Sequence, residues 1–118
     1  LGIHGEPGIS EDNILPASEL AKLLVDKLVS EKPANANGRV AVVLNGLGCT
    51  KYEELFVLWV SIEAALKQAG LTLVMPEVGE FVTSLDMAGC SLTLVKADDH
   101  ILGLWDAPVV TAGLRWGL

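Results

Sequence analysis

Basic residues are scarce in this chain. Eight lysines and arginines stand against 15 acidic side chains, for a formal net charge of −7. Arg39 and Arg115 are the only arginines and the lysines are scattered, so no stripe of positive charge is available for a phosphate backbone or an anionic lipid surface. We therefore expect neither nucleic acid nor a membrane as partner. Without basic neighbours, Trp59, Trp105 and Trp116 are expected to be packing anchors rather than a base-stacking platform. Cysteine is equally sparse. Cys49 and Cys90 are too few for a disulfide framework and lack the paired spacing of a zinc site, which fits reduced thiols in a cytoplasmic protein. Cys49, near an expected helix start, is read as a small space-filling residue. Long apolar runs are also missing: the stretches 40–44 and 55–60 are far too short to span a bilayer. No secretory leader is apparent. The chain opens on Leu1 rather than methionine, so we expect it to be a piece of a longer protein, and a targeting segment could have preceded it.

What is present suits one compact domain. The 118 residues are enough to bury a core, and a hydrophobic share of 51% against a charged share of 19% argues against disorder. Residues 10–15 are polar and expected to be irregular. Pro16 and Ser18 mark a helix start, with Leu20, Leu23, Leu24 and Leu28 as its apolar stripe up to about Glu31. Residues 33–38 (Pro-Ala-Asn-Ala-Asn-Gly) read as a turn, and 40–44, apolar without alternation, as a buried strand. Asn45-Gly46-Leu47-Gly48 is expected to break that strand. A second helix follows from about Tyr52 to Gln68, with Gly70 as its cap. It is apolar almost all round between Leu55 and Val60, which predicts packing on a sheet on one side and on a helix, domain or subunit on the other. Residues 71–75 read as the next strand, 78–85 as strand or turn, 90–97 as a strand alternating Leu92 and Leu94 with serine or threonine, and 98–105 as a short helix before an irregular end. The order predicts an α/β fold: a two-layer sandwich, with a mixed β-sheet and helices packed mainly on one face.

Three segments invite a chemical reading. Asn45-Gly46-Leu47-Gly48 lies between strand and helix, where phosphate loops occur, but it lacks both the Gly-Lys-Ser/Thr ending and the full dinucleotide spacing. A tight turn is expected, with the Asn45 amide as the one group able to reach a neighbouring site. Asp98 and Asp99 beside His100 resemble metal ligands, yet no second histidine stands at helical spacing, and an acidic pair there reads as a helix cap. Leu1-Gly2-Ile3-His4-Gly5-Glu6-Pro7-Gly8 sets a histidine among glycines, in a loop able to hold the imidazole clear of its own backbone. On local chemistry alone the simpler reading is a glycine-rich turn whose histidine is merely exposed.

Four segments change that balance. The loop around His4, the stretch Asn45-Gly46-Leu47-Gly48 with its following helix, Thr83-Ser84-Leu85-Asp86-Met87-Ala88-Gly89-Cys90-Ser91-Leu92-Thr93-Leu94, and Leu104-Trp105-Asp106-Ala107-Pro108 together resemble, in order, the dihydroxyacetone kinase family. The resemblance implies that residues 1–118 are a single domain, the C-terminal domain of the dihydroxyacetone-binding (K) subunit, without the N-terminal domain of the parent. It implies that His4 is the catalytic, substrate-binding residue, adding through Nε2 to the ketone carbon to form a covalent hemiaminal. Free histidine has a pKa of about 6.5, so neutral imidazole is available near pH 7. Only a carbonyl compound offers the electrophilic carbon; glycerol does not. The resemblance further implies phosphorylation to dihydroxyacetone phosphate, with nucleotide and Mg on a separate subunit or domain and neither cofactor nor metal held in this one. The isolated chain is then expected to be inactive, and the intact parent a homodimer. The other reading is a sensor that binds dihydroxyacetone without turnover and partners a transcription regulator.

Overall fold

The computed structural model describes residues 6–31 and 38–117. Residues 6–16 run as an irregular arm, exposed except at half-buried Leu15, into helix α1 (Ala17–Ser30), as the polar composition of 10–15 predicts. Pro16 sits just ahead of the first turn, where its missing N–H costs nothing. The buried stripe of α1 is rotated from the expected one. Ala21 and Val25 are its deepest residues, Leu20, Leu24 and Leu28 flank them half-buried, and Leu23 is exposed. Small side chains at the centre of the stripe let the helix approach closely; the leucines fill the gaps on either side. The expected turn at 33–38 falls almost wholly outside the described residues.

Strand β1 (Arg39–Gly46) is the centre of a three-stranded mixed sheet. It pairs in parallel with β2 (Thr72–Gly79) and antiparallel with β3 (Cys90–Lys96). Between β1 and β2 the chain crosses over through α2 (Tyr52–Gln68), the connection a parallel pair requires. Val40, Val42 and Leu44 lie in the core, while Ala41 is fully buried and Val43 half-buried on the opposite face, so 40–44 carries apolar residues without alternation. On one face Val40, Val42 and Leu44 meet α1 and α2 in a core with Val25, Leu55, Leu58, Ile62, Leu66 and Leu71. Leu92 and Leu94 of β3 pack against its edge, as their spacing predicts. The expected two-layer arrangement is therefore the observed one.

Two boundaries differ from expectation, each for a local reason. Asn45-Gly46 does not break β1: Asn45 stands opposite both Gly79 and Ser91, and Gly46 opposite Cys90. Ladder bonds on both sides outweigh the weak strand preference of Asn and Gly. Strand β2 likewise continues past Pro76. Ala41 pairs with Val74 and Val42 with Pro76, so Met75 is an extra residue, with a φ of 52°. This bulge absorbs the proline, and pairing resumes beyond it.

Helix α2 ends as the sequence predicts. Gly70 takes a φ of 76°, its N–H bonds to the Lys67 carbonyl and that of Leu71 to Leu66, which closes the last turn. The buried side of α2 faces β1, β2 and α1, while Phe56, Val57 and Val60 remain exposed. Helix α3 (Asp99–Trp105) is capped by Asp98, whose carboxylate accepts from Ile101 N–H at 2.9 Å. The C-terminal stretch is not wholly irregular. Two-residue strands β4 (Val109–Val110) and β5 (Arg115–Trp116) form a small hairpin, with Thr111 bonded across the turn to Leu114.

Candidate functional site

The parallel strands β1 and β2 end side by side, and the loops that leave them, 47–51 and 80–89, are fastened together. Leu47 N–H bonds to Gly89 O, Cys49 N–H to Met87 O, and Ser84 N–H to Leu47 O; the Thr50 hydroxyl donates to Gly89 O at 2.8 Å. Gly48 makes this closeness possible. Its φ is 130°, and a Cβ there would lie 2.2 Å from the Leu85 carbonyl oxygen. Two stretches far apart in sequence, Asn45–Gly48 and Thr83–Leu94, thus become one structural unit. It lies at the carboxyl ends of parallel strands, the usual location of ligand sites in α/β sheets.

Asn45 is the clamp of this unit and is nearly fully buried, at 6% exposure. Its side-chain oxygen accepts from Phe81 N–H at 2.7 Å and from Val82 N–H at 3.0 Å. Its amide nitrogen donates to Val82 O at 2.8 Å, with a longer approach of 3.4 Å to the Ser91 hydroxyl. The expectation that this amide could serve a neighbouring site is therefore wrong: the group is consumed in fixing the 80–82 segment. Leu85 at the loop tip is 93% exposed and holds a φ of 53°, a conformation its neighbours impose.

Reactive side chains are few here. Cys49 is exposed rather than space-filling as expected, and burial pushes the Cys90 thiol above its ordinary value. Asp98 serves as the cap, Asp99 pairs with Arg39 at 2.8 Å on the surface, and His100 is exposed. Among the described residues no group of three His, Cys, Asp or Glu is placed to hold a metal ion, and no helix is long and apolar enough to cross a membrane. His4 lies outside the described residues; Glu6, two positions on, is exposed. The tryptophans divide. Trp59 packs against the core as expected, whereas Trp105 and Trp116 line an open cleft on the other face of the sheet.

The sequence reading and this frame meet in a family match. A model described as the Dak1 domain matches residues 1–113, nearly the whole chain. The chain belongs to the dihydroxyacetone kinase family. Among its relatives, L-erythrulose 1-kinase of Mycolicibacterium smegmatis is 54% identical over 121 residues, a stretch taking in 99% of this chain and 21% of that protein. The dihydroxyacetone-binding subunit DhaK of the PEP-dependent dihydroxyacetone kinase of Escherichia coli is 34% identical over 141 residues, 99% of this chain and 40% of the subunit. A solved structure described under regulation of the dha operon of Lactococcus lactis superposes with a TM-score of 0.86 at 34% identity, over 98% of this chain and 37% of that one. The chain thus spans between a fifth and two fifths of the length of these relatives.

Proposed function

We propose that this chain is the carbonyl-anchoring domain of a hydroxyketone kinase, a single domain over residues 1–118, and that His4 is its covalent anchor. The observation that carries the reading is the family match from residue 1, which takes in the loop bearing His4. In the addition, the Nε2 lone pair forms the new C–N bond and the carbonyl π electrons move onto oxygen. The proton that Nδ1 carried before the addition balances that oxygen, so nothing is expelled. The bond then holds the substrate with one terminal hydroxyl free. Fixing that hydroxyl matters because phosphoryl transfer depends on positioning and electrostatics.

The remaining machinery belongs to other parts of the parent. An N-terminal domain supplies further substrate contacts and acid–base groups, and a separate subunit or domain brings nucleotide and Mg. This chain alone then binds weakly and turns nothing over. The parent is a cytoplasmic homodimer, and the exposed Phe56, Val57 and Val60 of α2 offer apolar area for its assembly.

Substrate choice has two readings. Dihydroxyacetone is the first, supported by the name of the Escherichia coli relative. Erythrulose is the second, supported by the greater identity to the L-erythrulose 1-kinase. Both sugars carry a hydroxymethyl group beside a ketone, so the His4 chemistry serves either. A non-catalytic sensor of dihydroxyacetone is the alternative, supported by the similarity to the dha operon structure.

Dihydroxyacetone and erythrulose labelled with carbon-13 at the carbonyl test these readings. Each is added to the chain and to the parent, with and without His4→Ala, and followed by NMR. A protein-bound signal moved from ketone to tetrahedral carbon, and lost in the variant, is the expected result. Its absence from the parent with both sugars refutes the anchor. Phosphorylated product, formed when the parent meets its nucleotide-binding partner, separates kinase from sensor.

A further inference from the structure

The face of the sheet away from α1 and α2 is only partly covered. Val43 of β1 and Glu77 of β2 stand opposite each other in register there. Together with Phe81, Trp105, Val109, Leu114 and Trp116 they line a cleft of about 380 Å³, within the ordinary range of ligand pockets. Three of the chain's aromatic rings converge on it. None stacks on another: the one close aromatic pair among the described residues is Tyr52 with Phe56.

The frame is fixed before any ligand arrives. The backbone N–H of Phe81 is held by Asn45 at 2.7 Å, and its ring lies against Gly79, where a Cβ would come within 2.9 Å of it. Trp116 is paired in the hairpin with Val109, and the hairpin turn is tied by the bonds of Thr111 to Leu114. Glu77 is the only charged residue of the lining. It is half-buried, and its carboxylate makes no ion pair or hydrogen bond among the described residues.

A carboxylate without a protein partner, set among apolar side chains, is a site of attraction for a positive charge. Aromatic ring faces carry negative potential of the same sign, and they attract cations with apolar substituents, which surrender hydration easily. A neutral polyol fits poorly, since its several hydroxyls would face apolar walls with one acceptor among them. We propose that the cleft binds a small organic ammonium ion, its charge set against Glu77 and its carbon substituents against Phe81, Trp105 and Trp116.

Choline is the probe, and 3,3-dimethylbutan-1-ol, which has the same shape without the charge, is the control. Both are titrated into the full chain at constant ionic strength while tryptophan fluorescence is followed. Choline is expected to bind about tenfold more tightly than the neutral alcohol, the scale of a partly desolvated cation–aromatic contact. Glu77→Gln and Trp116→Leu are each expected to remove most of that difference; the leucine keeps apolar area but loses the ring face. Circular dichroism of both variants shows whether the fold is kept. Equal affinity for the two probes, no binding of choline, or full choline affinity in folded Glu77→Gln overturns the proposal.

Discussion

Replacing Asn45 by alanine would test whether one buried amide holds the two loops at the ends of the parallel strands. The substitution removes the acceptor for Phe81 N–H and Val82 N–H, and the donor to Val82 O, at 2.7, 3.0 and 2.8 Å. Each such neutral bond contributes about 1 kcal/mol net, so the three together amount to about 3 kcal/mol. Phe81 and Val82 are half to three-quarters exposed, so water can reach the freed groups, which keeps the loss from rising to the full cost of buried orphans. The assay is urea unfolding combined with hydrogen exchange. Destabilisation should come with faster exchange at the amides of Phe81 and Val82, while the centre of β1 stays protected relative to global unfolding. Asn45→Asp should lose less, because it keeps the acceptor for both N–H groups. A change below about 0.5 kcal/mol in Asn45→Ala, or unchanged exchange at 81 and 82, refutes the clamp.

Three further outcomes follow from the structure. Gly48→Ala places a Cβ 2.2 Å from the Leu85 carbonyl at a φ of 130°, where neither the backbone nor the carbonyl can yield alone; we expect a loss of about 3 kcal/mol or more and a Tm lower by roughly 10 °C. A thermal melt that matches the unsubstituted chain contradicts the loop contact. Cys90 carries a thiol whose pKa burial raises above 9.0. Its contribution to stability is therefore complete below 9.0 and is lost as pH rises from there through the folded-state value, because the unfolded thiol ionises first. Urea midpoints measured between neutral pH and pH 10 should fall at the alkaline end, and Cys90→Ala should flatten that fall. Thiol labelling near neutral pH should modify the exposed Cys49 well before Cys90.

Much of the fold was legible in the sequence because its signals are local. The start of α1 at Pro16, the span of α2, the left-handed Gly70 and the Asp98 cap each depend on residues within a turn or two, and each stands as read. The burial of β1 was likewise visible as an apolar run, since a strand with little exposure on either face needs no polar positions. Family membership was legible through four separated motifs.

What the sequence could not decide depends on partners brought together by folding. Strand β1 runs on through Asn45-Gly46 because β2 and β3 supply ladder bonds on both sides, and no local preference records that. Pro76 stays in a strand because a bulge at Met75 lets the pairing slip by one residue. The Asn45 amide looked free in sequence, and tertiary structure spends it on residues 37 positions away. The fastening of Gly48 to Leu85 and the gathering of Phe81, Trp105 and Trp116 around Glu77 are the same kind of fact. The sequence by itself determined the elements and the family, because short-range geometry and motif order suffice for both. Which side chains meet was settled only when the sheet brought distant segments within bonding distance.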